Sequence, residues 1–124
     1  MYSLLVRIFW VKIHYFLAGI DYLGCYEDDS EPNRVLPTQQ EDEDDTNTPE
    51  DCARRCSQYR YAGVESGEEC FCGDRMNNPK KVPDRKCNYH CPGDVSKMCG
   101  GYWKISVYTQ WGKTILSLTM ISFF

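Results

Sequence analysis

Residues 48–73, TPEDCARRCSQYRYAGVESGEECFCG, carry two pairs of cysteines at two different spacings. Cys52 and Cys56 lie four apart behind a helix start. Thr48 can cap, Pro49 suits the first helical position, and Glu50 and Asp51 favour the positive end of the helix dipole. The helix is expected to end near Tyr59. Residues 61–65 read as a strand, Ser66-Gly67 as a tight turn and residues 68–73 as the return strand. On that strand Cys70 and Cys72 share a face, while Phe71 points the other way. Four residues of helix advance about 6 Å, and two residues of strand advance about 6.6–6.8 Å. A helix laid on the hairpin can therefore make two adjacent bridges without bending either element. Spacing alone leaves the parallel and the crossed pairing open.

Working outward, the other cysteines are Cys25, Cys87, Cys91 and Cys99, eight in all in a chain of 124 residues. An even count packed into one block reads as a disulfide framework and an oxidising compartment. A domain this small builds a thin core, and each bridge adds roughly 2–4 kcal/mol. Structural zinc would call for paired CxxC knuckles, which are missing, so no metal and no cofactor are expected. Cys91 and Cys99 can close a short loop through Gly93, leaving Cys25 and Cys87 to tie a strand at 22–26 to the connection before Cys91. Eight cysteines allow about 105 pairings, so these arguments narrow the choice without making it.

The formal net charge is −4, and every acid lies between Asp21 and Asp94. With no basic stripe, nucleic acid and an anionic membrane surface are poor partners. Such a balance suits an extracellular module that binds something uncharged or basic. The run Glu41-Asp42-Glu43-Asp44-Asp45 is expected to be a solvated loop. It lacks the alternating carboxylate spacing of a calcium loop. Residues 1–21 form an N-terminal apolar segment, signal-like or anchor-like, interrupted by Arg7, Lys12 and His14. Residues 109–124 form a C-terminal apolar tail too short to span a bilayer. The tail is expected to be loosely ordered or to pack on the N-terminal segment, and its abrupt apolar end reads as a fragment of a longer chain. Between them lies one domain, residues 22–108, closing on a strand at 102–108.

The order Gly24-Cys25-Tyr26, Arg34-x-Leu36, Cys52-x3-Cys56, Tyr61-Ala62-Gly63-Val64-Glu65, Glu69-Cys70-Phe71-Cys72-Gly73, Cys87-x3-Cys91, Gly93-Asp94, Cys99-Gly100-Gly101 and Val107-Tyr108 closely resembles the WSC domain. That family supplies cysteine-rich modules to fungal cell-wall stress sensors and to polycystin- and Kremen-type animal proteins. The resemblance implies a small disulfide-rich α+β fold, with one or two short helices on an antiparallel sheet, similar to PAN/apple modules. It also implies the pairing Cys25–Cys87, Cys52–Cys70, Cys56–Cys72 and Cys91–Cys99, which takes the parallel option. The acidic run at 41–45 departs from the pattern as a lengthened loop.

The resemblance further implies a secreted or cell-surface module that binds carbohydrate, such as glucan or another wall or matrix polysaccharide. The alternative is a protein-interaction module in the ectodomain of a receptor or sensor. Sugars are held by flat aromatic faces beside polar groups. Tyr59, Tyr61, Tyr89, Tyr102 and Trp103 are the candidates, and Tyr59, Tyr102 and Trp103 are the chosen ligand-binding residues. Tyr26, Phe71 and Tyr108 are expected in the core. Catalysis is not expected, because the cysteines are committed to bridges and no Ser-His-Asp or Cys-His set can be assembled. Glu68 and Glu69, adjacent on a strand, would face opposite sides and could not act on one bond.

Overall fold

The computed structural model describes residues 19–42 and 44–111. The terminal segments assigned above lie outside them except for their innermost residues. One compact unit runs from Ile20 to Thr109. Among the described residues it holds one α-helix, α1 (Pro49–Arg55), a short 3-10 turn at Asp84–Lys86, and an antiparallel sheet of six strands in the order β2-β4-β3-β8-β1-β5. These strands are β1 (Gly19–Glu27), β2 (Thr38–Gln39), β3 (Tyr61–Glu65), β4 (Glu69–Gly73), β5 (Lys81–Val82) and β8 (Lys104–Trp111). A separate hairpin pairs β6 (His90–Cys91) with β7 (Asp94–Met98). This is the small disulfide-rich α+β fold that the sequence implies.

The helix starts as its residues dictate. Thr48 Oγ1 accepts the Asp51 N–H at 3.0 Å, and Pro49 occupies the first turn. It stops at Arg55, a turn earlier than the Tyr59 expected from the pattern. The Tyr59 N–H bonds to the Cys56 carbonyl, three residues back, at 2.9 Å, so the chain tightens there and turns into β3. The bridges are Cys52–Cys70 and Cys56–Cys72, parallel across helix and hairpin, with Cα separations of 5.5 and 5.4 Å. Cys25–Cys87 and Cys91–Cys99 complete the set. Cys70 pairs with Val64 and Cys72 with Ala62 across β3–β4, which places the four side chains under the helix.

The sheet is covered on both faces. On the α1 side, Ala53, Ala62 and Val64 cluster with six cysteines, Cys52, Cys56, Cys70, Cys72, Cys91 and Cys99. The opposite face packs Val35, Leu36, Phe71, Ile105 and Val107. Strands buried on both sides lose the polar–apolar alternation, and β8 shows it: Ile105, Ser106 and Val107 are all buried. Of the residues expected in the core, Phe71 is fully buried, whereas Tyr26 and Tyr108 are half-buried against the second and first clusters.

Several local expectations need correction. The β3–β4 loop has three residues, because Glu65 pairs with Glu69; Glu68 belongs to the turn, not to the return strand. Ser66 (φ 53°) and Gly67 (φ 85°) supply the left-handed backbone that closes it. The first strand begins earlier than residue 22, since Ile20 packs against the helix-side core. The last strand begins at Lys104 rather than at Tyr102. Gly101 and Lys104 exchange backbone hydrogen bonds of 2.8 and 3.3 Å, which turns Tyr102-Trp103 into a two-residue reversal. Gly100 allows this. It sits at φ 71°, and a Cβ there would lie 2.3 Å from the Val64 carbonyl oxygen.

The polar stretch before α1 is not wholly solvated. Glu41, Asp42, Asp44 and Asp45 are exposed, but Asn47 is fully buried. Asn47 Nδ2 donates to the Gly67 carbonyl at 2.7 Å and to the Glu69 carbonyl at 3.3 Å, and its Oδ1 accepts from Arg55 at 2.9 Å. Arg55 also donates to the Glu41 carbonyl at 2.8 Å and pairs with Asp51 at 3.1 Å. One asparagine and one arginine thus fasten the loop to both helix and hairpin.

The bridges close loops of unequal length, 62 residues for Cys25–Cys87 and 8 for Cys91–Cys99. Chain entropy then predicts unequal losses on removal, about 4 kcal/mol for a Cys25→Ala/Cys87→Ala double variant and about 2.5 kcal/mol for Cys91→Ala/Cys99→Ala. Urea denaturation of each variant against the parent checks this order, which reverses if native-state strain outweighs the loop term.

Candidate functional site

The reversal at Tyr102-Trp103 makes one wall of a cleft of about 260 Å³, lined also by Arg34, Glu65, Ser66 and Glu69. Tyr102 is 71% exposed and Trp103 39%. The rings meet edge to face, with centroids 6.4 Å apart. Trp103 has φ 53°, a conformation that only its neighbours' hydrogen bonds can hold. Besides the Gly101–Lys104 pair, the Asp28 N–H donates to the Trp103 carbonyl at 3.0 Å. The indole is therefore carried on a fixed backbone rather than on a mobile loop tip.

Arg34 joins the cleft to the second core. Its guanidinium lies 4.8 Å from the centroid of the Phe71 ring and 5.3 Å from that of Trp103. Asp28 holds it there: Oδ2 accepts from Arg34 Nη1 at 3.1 Å, and Oδ1 accepts the Val35 N–H at 2.8 Å. The side chain of Asp28 is wholly buried. Glu65 lies deeper in the cleft, buried, with Oε1 3.9 Å from Arg34 Nη1. That distance is too long for a hydrogen bond, and among the described residues Glu65 Oε1 is left without a partner.

One guanidinium thus serves two buried carboxyls. Burial, the hydrogen bond shared with Asp28 and the charges of Asp28 and Glu69 push Glu65 up to about 9, against the opposing pull of Arg34. At neutral pH Glu65 is a neutral acid that donates to the Asp28 carboxylate. Glu69 faces it directly across the β3–β4 pair and accepts from Gln39 Nε2 at 3.3 Å at the rim.

On the other face of the sheet a second cleft of about 230 Å³ is lined by Tyr22, Asp84, Cys87, Met98, Ser106 and Tyr108. The Tyr22 hydroxyl donates to Asp84 Oδ1 at 2.7 Å, and its ring lies 5.2 Å from that of Tyr108. Burial raises both phenols, Tyr108 to about 12, so both stay protonated at neutral pH.

The structure brings Tyr102 and Trp103 together and places Tyr59 elsewhere, packed against the helix-side core. Tyr61 packs against the second core and Tyr89 is exposed near the β6–β7 hairpin. The sequence reading missed Arg34, Glu65 and Glu69 as cleft residues. The only signal for them is two glutamates flanking a short turn, since Arg34 reaches the site through a loop. Sulfurs of Cys52, Cys56 and Cys70 lie within 4.8 Å of one another, but all three are in bridges and offer no thiolate to a metal. Among the described residues no helix is long and apolar enough to cross a membrane.

Comparison with known proteins is decisive for the family. The WSC domain matches residues 22–101. The chain belongs to the WSC family. Relatives include the protein named xylosyltransferase oxt of Drosophila melanogaster, 38% identical over 89 residues, which covers 69% of this chain and 10% of the relative. A WSC domain-containing protein of Arthroderma benhamiae is 38% identical over 86 residues, covering 68% of this chain and 12% of the relative. Xylosyltransferase sqv-6 of Caenorhabditis briggsae is 32% identical over 89 residues, covering 69% and 11%. The chain thus spans about a tenth of the length of each of these three relatives. WSC membership and four disulfides make this a module of the extracellular or cell-surface kind.

The buried carboxyl has a consequence for stability. Glu65 keeps its proton in the fold up to about pH 9 but loses it near 4.5 when unfolded. Between those values the folded state binds more protons, so its stability falls as pH rises. Urea midpoints measured from pH 5 to pH 8.5 should decline for the parent and decline less for Glu65→Gln. Parallel profiles for the two proteins would show that Glu65 is not the titrating group.

Proposed function

We propose that this WSC domain is a secreted or cell-surface carbohydrate-binding module without catalytic activity, and that Trp103 and Tyr102 form its sugar-contacting wall. The observation that supports this most is the exposed indole of Trp103, fixed at φ 53° beside the polar groups of a cleft. A sugar ring offers an apolar face of C–H groups and an equatorial rim of hydroxyls. A rigid aromatic side chain takes the first with little loss of entropy, and Arg34, Ser66 and Glu69 stand ready for the second. Tyr59, which the sequence reading grouped with these two, would bind only at a separate surface. The acidic balance of the chain supports neither nucleic acid nor an anionic membrane as the partner.

A second reading is a protein-interaction module in a receptor or sensor ectodomain. The observation in its favour is the exposed apolar trio Tyr89, Val95 and Met98 on or beside the β6–β7 hairpin. The two readings use different surfaces, so substitutions separate them.

A glycan array followed by titration calorimetry on the strongest binder is the test. Trp103→Ala should weaken that binding at least about tenfold, or about 1.4 kcal/mol, while Val95→Ser leaves it unchanged. An array with no signal above background, or a Trp103→Ala protein that binds as the parent does, would overturn the carbohydrate reading.

A further inference from the structure

The Trp103 cleft carries more carboxyl than its single guanidinium can match. Arg34 is already engaged by Asp28 at 3.1 Å and stands 3.9 Å from Glu65 Oε1. Glu65 and Glu69 are directly opposed across β3–β4, an arrangement that costs stability when both are charged. Glu65 is 98% buried by its 2% exposure, and its Oε1 finds no partner among the described residues although the side chain lines the cleft. A buried oxygen left unpaired destabilises the fold, and a ligand hydrogen bond would recover that loss.

We infer that the cleft selects an uncharged sugar unit, one of whose hydroxyls hydrogen-bonds Glu65, and that Glu65 and Glu69 together exclude sulfated and uronate-bearing chains. The inference rests on the carbohydrate reading and narrows it. A hydroxyl both donates and accepts, so it can satisfy the Glu65 carboxyl whether or not that group holds its proton. A sulfate or carboxylate can only accept. It would meet an accepting, unpartnered Oε1 on Glu65 and the acidic Glu69, with one cation at hand that Asp28 already compensates. Electrostatic mismatch of this kind acts mainly on selectivity, by penalising the wrong partner.

Calorimetric titration of the full chain tests this with two sets of probes. The uncharged set is the hexasaccharides of β-1,3-glucan, xylan and chitin; the anionic set is those of heparin and polygalacturonate. At least one uncharged probe should bind, and every anionic one at least about tenfold more weakly. Glu65→Gln, uncharged and of the same shape, should hold the uncharged probe within about threefold, while Glu65→Ala should lose about tenfold. Glu69→Lys, a rim change that leaves the core intact, should strengthen heparin hexasaccharide binding about tenfold relative to the uncharged probe. Binding that depends on Trp103 but survives Glu65→Ala, anionic probes bound as tightly as uncharged ones, or a Glu69→Lys protein with unchanged selectivity would each overturn this inference and leave the carbohydrate reading standing. Binding of no probe, or binding indifferent to Trp103→Ala, would overturn both.

Discussion

The two parallel bridges between α1 and the β3–β4 hairpin set the terms for the rest of the domain. A helix of seven residues is far below the length at which a helix persists in water. Its caps and acidic first turn contribute, but Cys52–Cys70 and Cys56–Cys72 are what fix it to the sheet. With the helix fixed, one face of β3 and β4 is closed by sulfur and small side chains. Asn47 can then be buried at the helix entrance, where Gly67, Glu69 and Arg55 together satisfy its side chain. The opposite face is left for larger residues, and there Phe71, Leu36 and Ile105 build the second core.

The cleft grows out of that second core. Arg34 lies over Phe71 on one side and Trp103 on the other, so a cation that would ordinarily stay in water becomes part of the packing. Asp28 makes this tolerable by meeting the charge and fixing the loop that carries it. Glu65 is the residue for which no full partner remains. Buried polar groups that are imperfectly satisfied concentrate where a protein binds something, and this one sits beside the most exposed aromatic pair near the sheet.

Much of the fold was legible because cysteines report distance. Four residues of helix and two of strand cover nearly the same span, and that match put α1 on the hairpin before any contact was known. Alternation also worked for β4, where Cys70 and Cys72 take one face and Phe71 the other. In β8 it gives the facing, with Ile105 and Val107 toward the second core and Ser106 opposite, but not the burial, because both faces of that strand are covered and polar Ser106 is enclosed too. The short strands β2 and β5 left no trace, since two residues cannot show a period. Trp103 could be picked out as an exposed aromatic candidate, but its turn could not, because the Gly101–Lys104 exchange and the close approach of Gly100 to Val64 are tertiary. Arg34, Glu65 and Glu69 were invisible as a group: they meet through a sheet register and a loop crossing that no local pattern encodes.

The strand order carries a consequence for how such a domain lives beside its neighbours. The two margins of the six-stranded sheet are β2 and β5, each only two residues long. A margin that short presents almost no continuous row of free amide and carbonyl groups, so it is a poor template for a strand from another molecule. Lys80 and Lys81 at the β5 margin add charge to the same effect. At β2 and β5 themselves, the domain therefore offers a second copy little to pair with edge to edge.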